Sequence, residues 1–233
     1  VLECSALRWY YQIKGGVMIR GIFFLYRDRA SFFGELLAQH ALITLISVSI
    51  ITSLGLFLGV LMTKHKLIAA VLLRISSFLY TIPSIALFGV LVSVTGIGMK
   101  SAIIAIVLYG LLPMIRNTYT GLVEVPADIL EAAVGMGTSK GQLLLNIRLP
   151  LALPIIFSGF RTMVVMTIAL GGIASFIGAG GMGRAIWRGI STNYPEMTIA
   201  GSLLIALMAI FSDLCLEYIE RRVRNRFLGE KGA

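Results

Sequence analysis

Few side chains in this 233-residue sequence are of the types that catalyse reactions or bind metals, and those few lie apart. The two histidines, His40 and His65, stand at opposite ends of an apolar run, and the two cysteines, Cys4 and Cys215, lie near opposite ends of the chain. Metal sites and disulfide frameworks need closely spaced ligands or paired cysteines. The sequence also holds no metalloprotease helix motif and no nucleophile–base set. We therefore expect no catalytic residue, no metal site and no enzymatic activity in this chain.

Residues 178–183 read GAGGMG and contain the spacing G-x-G-x-x-G, with which glycines approach the pyrophosphate of a dinucleotide. That chemistry requires a β-strand before the glycines and a βαβ unit around them. Here a long apolar run precedes them and the more polar residues 184–191 follow. We therefore reject the nucleotide interpretation and expect a tight turn, with Trp187 as an anchor at a lipid–water interface.

The most informative pattern lies in residues 124–150, EVPADILEAAVGMGTSKGQLLLNIRLP, between two apolar runs. Pro126 suits the start of a helix, and Asp128 and Glu131 suit its first turns, where negative charge interacts favourably with the helix dipole. The pattern predicts a first short helix, Ala127–Met136.

Glycine is the usual stop for a helix, so this first helix should end near Gly135 or Gly137. We predict a second short helix that ends at Asn146, before Pro150 begins the next long helix. Two residues could cap that second helix, Thr138 and Ser139. We name residues 124–149 the elbow. Because it is short, stiff and joined to a long helix, a force applied to the elbow would move that helix.

The composition indicates that most of the chain lies in lipid. Hydrophobic residues make up 58% of the sequence and charged residues 13%, and the mean hydropathy is +0.91. A soluble domain is nearer half apolar and a quarter charged, so a soluble core of this length could not bury so much apolar surface. The formal net charge of +9 does not indicate nucleic-acid binding, because the basic residues lie mostly at the ends of apolar runs. We expect an all-α integral membrane protein.

Five apolar runs are long enough to cross a bilayer, which takes about 20 residues in a helix. We predict spans at residues 41–63, 67–95, 101–120, 150–177 and 197–219. They form a transmembrane domain of residues 41–222, between an N-terminal tail of residues 1–40 and a C-terminal tail of residues 223–233. No acidic residue occurs between Glu35 and Glu124, which argues against a proton relay in the first three spans.

The positive-inside rule orients these spans. The loop between Thr63 and Leu67 is basic, the elbow holds Lys140, and the C-terminal end is rich in arginine. With five spans all three lie on one side, so we expect that side to be the cytoplasm and the N-terminus to be outside. The N-terminal tail is basic as well, and three explanations stay open: a misplaced start, a segment at the membrane interface, or a wrong number of spans.

Several side chains within the spans leave alternatives open. Pro83, in the middle of the second run, either kinks a continuous helix or breaks it beside a pathway, and we favour the kink. Arg161, about three turns into the fourth run, must snorkel, pair with acidic groups or face water. Tyr80 and Tyr109 could offer aromatic faces to a cation, but we assign them no binding role.

The elbow also carries a family signature. The residues Glu131, Ala132, Ala133, Gly137, Ile147, Leu149 and Pro150 stand in the spacing EAA-x3-G-x9-I-x-L-P. In this the sequence resembles the permease subunits of binding-protein-dependent ABC importers. The resemblance implies the five-helix permease core of a type I importer, with an elbow that docks into a cleft of a separate ATPase. These seven residues are then the ATPase-coupling residues: the glutamate and the two alanines face the ATPase, and Gly137 makes the turn.

The surrounding helices narrow the resemblance. Residues 78–123 and 160–190, with segments such as YTIPSIALFGVL and LYGLLPMIRNT, look like permeases for quaternary-amine osmoprotectants. The resemblance implies glycine betaine, carnitine or choline as cargo, with an amino acid or another small solute as the alternative. It implies a cytoplasmic ABC ATPase that binds the ATP, an extracytoplasmic substrate-binding protein and a second permease, identical or homologous. It also implies a multi-pass protein of the bacterial inner membrane, in contact with lipid, with no cofactor of its own and no nucleic-acid partner.

Overall fold

A computed structural model describes residues 18–228, which are helical almost throughout. The helices are α1 (residues 18–28), α2 (Ala30–Lys64), α3 (Lys66–Thr81), α4 (Ser84–Thr95), α5 (Met99–Val123), α6 (Ala127–Gly135), α7 (Lys140–Gln142), α8 (Leu149–Ala174), α9 (Gly183–Ser191) and α10 (Pro195–Leu228). A π-helical segment, Leu143–Arg148, joins α7 to α8, and a 3-10 turn, Ser175–Ile177, follows α8. The predicted all-α class is confirmed.

The predicted N-terminal tail is helical over the part that the structure describes. α1 and α2 both begin well before residue 41, where we placed the first span. The two helices nearly merge, since the amide of Phe33 donates to the carbonyl oxygen of Arg29 at 3.1 Å. Arginine lowers the hydropathy of this region but is a good helix former, so hydropathy alone does not show where these helices begin. Residues 1–17 and 229–233 of the two predicted tails lie outside the described residues.

The second apolar run is not one helix. α3 and α4 are separate, and their axes differ by 100°. Ile82 and Pro83 between them have extended backbone, with ψ of 129° and 131°. Proline lacks an amide hydrogen and disfavours the α conformation in the residue before it. The Tyr109 hydroxyl donates to the carbonyl oxygen of Ile82 at this break. The kinked-helix interpretation is therefore wrong, because the helix is broken at this point; that the break lies beside a pathway stays a prediction.

Close contacts between α2 and α5 show how the chain crosses the membrane. A methyl group on Gly55 would overlap the Met114 side chain, and one on Gly59 would overlap Thr118. From the first contact to the second, the residue numbers rise by four in both helices. α2 and α5 therefore run parallel, and their backbones lie close together. The chain must therefore return across the membrane between them, and α3 and α4 make that return. The bent pair counts as one crossing.

α8 and α10 complete a bundle of five crossings within residues 18–228. α8 runs antiparallel to α5, and α10 runs antiparallel to α8. The pairs that fix these directions are Gly121–Ala152 and Asn117–Gly159 between α5 and α8, and Gly172–Ile205 and Arg161–Asp213 between α8 and α10. The core is made of buried apolar side chains such as Ile106 and Ile168. This topology places the connection between α2 and α3, the elbow and the C-terminal end of α10 on one side.

Candidate functional site

The first limb of the elbow presents an exposed helix at one end of the bundle. α6 begins after Pro126 and carries Asp128 in its first turn, where a carboxylate interacts favourably with the helix dipole. Glu131 and Ala132 are exposed. Three apolar side chains of this limb are exposed as well: Ile129 at 40%, Val134 at 57% and Met136 at 80%. Large apolar side chains that are exposed in this way are available to contact another protein.

Ala133 does not share this exposed face. Its side chain is 2% exposed and packs against the chain's own helices, whereas Glu131 and Ala132 are exposed. The expectation that all three residues face an ATPase is therefore wrong for Ala133. Successive residues of an α-helix are about 100° apart around its axis, so three consecutive side chains do not share one face.

Gly137 makes the turn between the two limbs of the elbow. Its φ is 86°, in the left-handed region that favours glycine. The amide of Gly137 donates to the carbonyl of Val134 at 2.9 Å, and the amide of Thr138 donates to that of Ala133 at 3.2 Å. These two bonds form a Schellman motif and satisfy carbonyl groups that the end of α6 leaves free. The two bonds thus fix the direction in which the chain leaves α6.

A capping box starts the second limb at Ser139. The Ser139 hydroxyl accepts a bond from the amide of Gln142 at 3.4 Å, and Gln142 Oε1 accepts one from the amide of Ser139 at 3.0 Å. This reciprocal pair satisfies two amides that a helix start leaves without partners. Of the two predicted capping residues, Ser139 is the one that caps.

The second limb and the fourth crossing form one continuous helix. The π-helical segment Leu143–Arg148 leads directly into α8. Pro150 has no amide hydrogen, and the wider π turn before it lets the helix pass this residue without ending. The predicted end at Asn146, with a new helix at Pro150, is therefore wrong. Because Lys140–Ile177 is a single helical unit, a displacement of the elbow moves α8 with it.

Arg148 fixes the base of the elbow and was not among the predicted site residues. Its Nη2 donates to the carbonyl oxygen of Leu122 at 3.0 Å, near the end of α5 where helical carbonyls lack partners. Ile147, Leu149 and Pro150 are half-buried beside it, so these signature residues lie at the root of the elbow. Arginine is favoured near helix C-termini, but the sequence does not say which helix end Arg148 reaches.

Comparison with known proteins decides the family. Residues 51–225, which include the whole elbow, match the family described as binding-protein-dependent transport system inner membrane component. The chain belongs to this family. It is therefore a permease, the membrane subunit of an ABC importer, and the resemblance of its signature is confirmed.

Several permeases are similar over most of the chain. The permease is 41% identical over 198 residues to the osmoprotectant import permease protein OsmW of Salmonella typhimurium, with 83% of this chain and 92% of that protein covered. It is 34% identical over 213 residues to OpuCD of Bacillus subtilis, a glycine betaine/carnitine/choline transport system permease protein, with 91% and 86% covered. The ergothioneine transport permease/ergothioneine binding protein EgtU of Helicobacter pylori is 43% identical over 159 residues. That alignment spans 68% of this chain but 29% of the longer EgtU.

Two solved importers share the fold. A chain of the MetNI methionine ABC transporter, in an inward-facing conformation, aligns with a TM-score of 0.72 at 20% identity, covering 84% of this chain and 98% of its own. A chain of an amino acid ABC transporter aligns with a TM-score of 0.73 at 18% identity, covering 86% and 98%. At these identities the likeness establishes the fold alone, which is the type I importer permease core.

Near the middle of α8, Arg161 joins the permease helices α8 and α10. Its Nε and Nη2 donate to the two carboxylate oxygens of Asp213, and Nη2 also donates to Glu217 at 3.0 Å. Its Nη1 lies 3.6 Å from a carboxylate oxygen of Glu220. Pairing with carboxylates offsets the cost of holding an arginine at membrane depth. Of the alternatives for Arg161, the structure shows pairing with acidic groups.

The glycine turn, residues 178–183, lies at the end of the bundle opposite the elbow. Three glycines of residues 178–183 have φ between 80° and 87°, and the chain before them is helical, so the turn interpretation is confirmed. His40 Nδ1 accepts a bond from the amide of Met182 at 3.3 Å, and its Nε2 bonds to the carbonyl oxygen of Ile168 at 3.0 Å. These partners make His40 a neutral imidazole with its proton on Nε2. Trp187 is 54% exposed beside this turn.

Proposed function

We propose that this permease passes small trimethylammonium solutes through the membrane in an ATP-driven importer, and that its elbow is where the ATPase binds. The geometry of the elbow carries the proposal: an exposed helix, a closed glycine turn and a second limb continuous with α8. The sequence has no phosphate-binding loop of the P-loop type, so the phosphate chemistry belongs to the partner. Movement of the elbow then reaches α8 directly and reaches α10 through Arg161.

The proposed cargo follows from the names of the relatives. These proteins are named for osmoprotectants, for glycine betaine, carnitine and choline, and for ergothioneine. Each named solute carries a trimethylammonium group. We therefore assign glycine betaine, carnitine or choline to this permease, and an amino acid or another small solute is the outcome that would replace this assignment.

The elbow side of the bundle faces the cytoplasm in this proposal. Lys64, Lys66 and Lys140 lie on that side, and basic loops are retained in the cytoplasm. The N-terminus is then outside and the C-terminus inside. At the outer end, the Tyr26 hydroxyl of α1 donates to the carbonyl oxygen of Ala200 at 2.8 Å. This contact favours the second explanation of the basic N-terminal tail, a segment held at the membrane interface.

The transport cycle uses two permeases, identical or homologous, with the pathway between them. ATP binding closes the two ATPase subunits and brings the two elbows together. Each elbow moves its α8, and the cavity opens outward to receive cargo from the binding protein. Hydrolysis and release return the cavity to the inward-facing state, so access alternates between the two sides.

Uptake into proteoliposomes tests this function. The permease is reconstituted with its ATPase and internal ATP, and the binding protein is supplied outside with labelled solute. We expect accumulation of glycine betaine, carnitine or choline that requires both ATP and the ATPase. Uptake of methionine alone would overturn the cargo and leave the permease assignment intact. Uptake that proceeds without any ATPase would overturn the coupled-importer function itself.

A further inference from the structure

Two clefts meet at Tyr80, on a face of the bundle formed by α3, α5, α8 and α10. The larger has a volume of about 610 Å³ and is lined by residues that include Tyr80, Ser158, Arg161, Thr162, Met166 and Asp213. The smaller, of about 330 Å³, is lined by residues that include Tyr80, Ser77, Arg116 and Asn117. The two clefts share Tyr80, and in both of them polar side chains stand among apolar ones.

Groups of this polarity fit water better than lipid. Ser158 and Thr162 are exposed, and the Thr162 hydroxyl bonds only along its own helix, to the carbonyl of Ser158 at 3.0 Å. The Asp213 side chain stays 35% exposed although it pairs with Arg161. Polar and charged groups at membrane depth are costly against hydrocarbon and characteristically face a bundle interior or a water-filled cavity.

The break between α3 and α4 lies beside the same surface. Irregular backbone at membrane depth is tolerated where it is buried in protein or lines a cavity that holds water. The Tyr109 hydroxyl donates to the freed carbonyl of Ile82, and the Tyr109 ring meets Tyr80 at 5.9 Å in an edge-on contact. The Tyr80 hydroxyl donates to Met166 Sδ at 3.4 Å. Tyr109 and Met166 thus hold the Tyr80 ring in place. Tyr80 is still 46% exposed, toward the cleft.

We propose that these joined clefts line the solute pathway, and that the exposed face of the Tyr80 ring contacts the trimethylammonium group of the cargo as it passes. This inference rests on the proposed function. An aromatic face attracts a quaternary ammonium through the negative charge of its π system. The Met166 side chain beside it offers apolar contact to the methyl groups. Arg161 is already paired, so the cleft offers contacts that are weak enough for the solute to leave again.

Removal of the Tyr80 ring tests the contact. Cation–π contacts predict that Tyr80→Leu lowers the initial rate of ATP-driven glycine betaine uptake by about threefold to thirtyfold, whereas Tyr80→Phe keeps most of it. Phe78→Leu is the matched control, because Phe78 lies on the same helix, is 68% exposed and lines neither cleft. Equal rates for Tyr80→Leu and the parent, or equal losses for Tyr80→Leu and Phe78→Leu, would overturn the assignment of Tyr80. The parent's own uptake reports separately on the proposed function.

Cysteine labelling in the assembled transporter tests whether the clefts hold water. In a background with Cys4→Ser and Cys215→Ser, we expect Ser158→Cys and Thr162→Cys to react with a trimethylammonium-ethyl thiosulfonate, and glycine betaine to slow the reaction. The controls are Ser49→Cys and Ser53→Cys, which replace exposed serines on α2 outside both clefts. Equal labelling at all four positions, or none at the cleft positions in a transporter that still takes up cargo, would overturn the pathway and leave the permease function standing.

Discussion

Replacement of Glu131 by lysine is expected to abolish ATP-driven uptake while the permease still inserts and folds. Glu131 is exposed in the middle of α6 and makes no hydrogen bond or ion pair with the other described residues, so its reversal leaves the fold intact. In the proposed contact with an ATPase, the same change replaces a negative charge by a positive one. Like-charge contacts cost several kcal/mol, which corresponds to roughly a hundredfold or more in affinity for the ATPase.

Uptake and cargo-stimulated ATP hydrolysis should both fall to background in Glu131→Lys, with normal amounts of permease in the membrane. Ser191→Lys is the control, since it introduces a lysine at an exposed position at the other end of the bundle. Normal coupling in Glu131→Lys would show that this face of α6 does not meet the ATPase.

A change in the backbone of the elbow turn is also expected to lower coupling to the ATPase. Neither Gly135 nor Gly137 has any atom within 4 Å of an added Cβ, but only Gly137 has a positive φ, of 86°. Alanine at 137 therefore costs about 1–2 kcal/mol of backbone strain, whereas alanine at 135 lies in a helix and gains up to about 1 kcal/mol. We expect Gly137→Ala to lower coupling and Gly135→Ala to preserve it, and the reverse order would contradict the geometry of the turn.

Removal of the Arg161 side chain is expected to weaken the contact between α8 and α10 and to lower the rate of transport. Arg161→Leu leaves three carboxylates, Asp213, Glu217 and Glu220, close together without the guanidinium that pairs with each of them. The three carboxylates of α10 then repel one another and lose their bonds to α8, so we expect uptake to fall by more than about tenfold and the midpoint of thermal unfolding to drop by about 2–4 °C. Scanning fluorimetry in detergent and uptake in proteoliposomes measure the two effects.

Arg221→Leu is the matched control for Arg161→Leu. Arg221 pairs with the same Glu217, but its side chain is 67% exposed, and exposed ion pairs contribute little to stability. Arg161→Lys should be intermediate, because lysine keeps the charge but not the two-pronged geometry of the guanidinium. Parent-like stability and uptake in Arg161→Leu would show that the ion pairs do not join the two helices.

Much of the fold and part of the elbow were predictable from sequence, because apolar runs and the spacing of the elbow signature are local patterns. The five crossings, the exposed Glu131 and the tight turn at residues 178–183 needed no tertiary information. The bent pair at Pro83 was misjudged, because proline allows either a kink or a break. What decides is the Tyr109 hydroxyl, which bonds the freed carbonyl of Ile82 from a different helix.

The errors at the elbow have similar causes. Ala133 belongs to the signature but lies buried, since a consecutive motif on a helix must place some residues inward. The helix continues past Asn146 because the π-helical segment before Pro150 accommodates the missing amide hydrogen. No periodicity in the sequence predicts a π-helical segment. Arg148 and Leu122 are 26 residues apart, so only the fold brings them together.

Cross-linking to the ATPase tests most directly whether the elbow is the site at which the motor binds. Single cysteines are placed in the background without Cys4 and Cys215 at two positions of equal exposure, Met136→Cys on the elbow and Ile97→Cys at the opposite end, where the parent side chains are 80% and 79% exposed. A short cross-linker with one thiol-reactive end and one photoactivatable end is then applied to the transport-competent complex. We predict a cross-link between the ATPase and Met136→Cys and none with Ile97→Cys. A cross-link at Ile97→Cys without one at Met136→Cys would contradict the account.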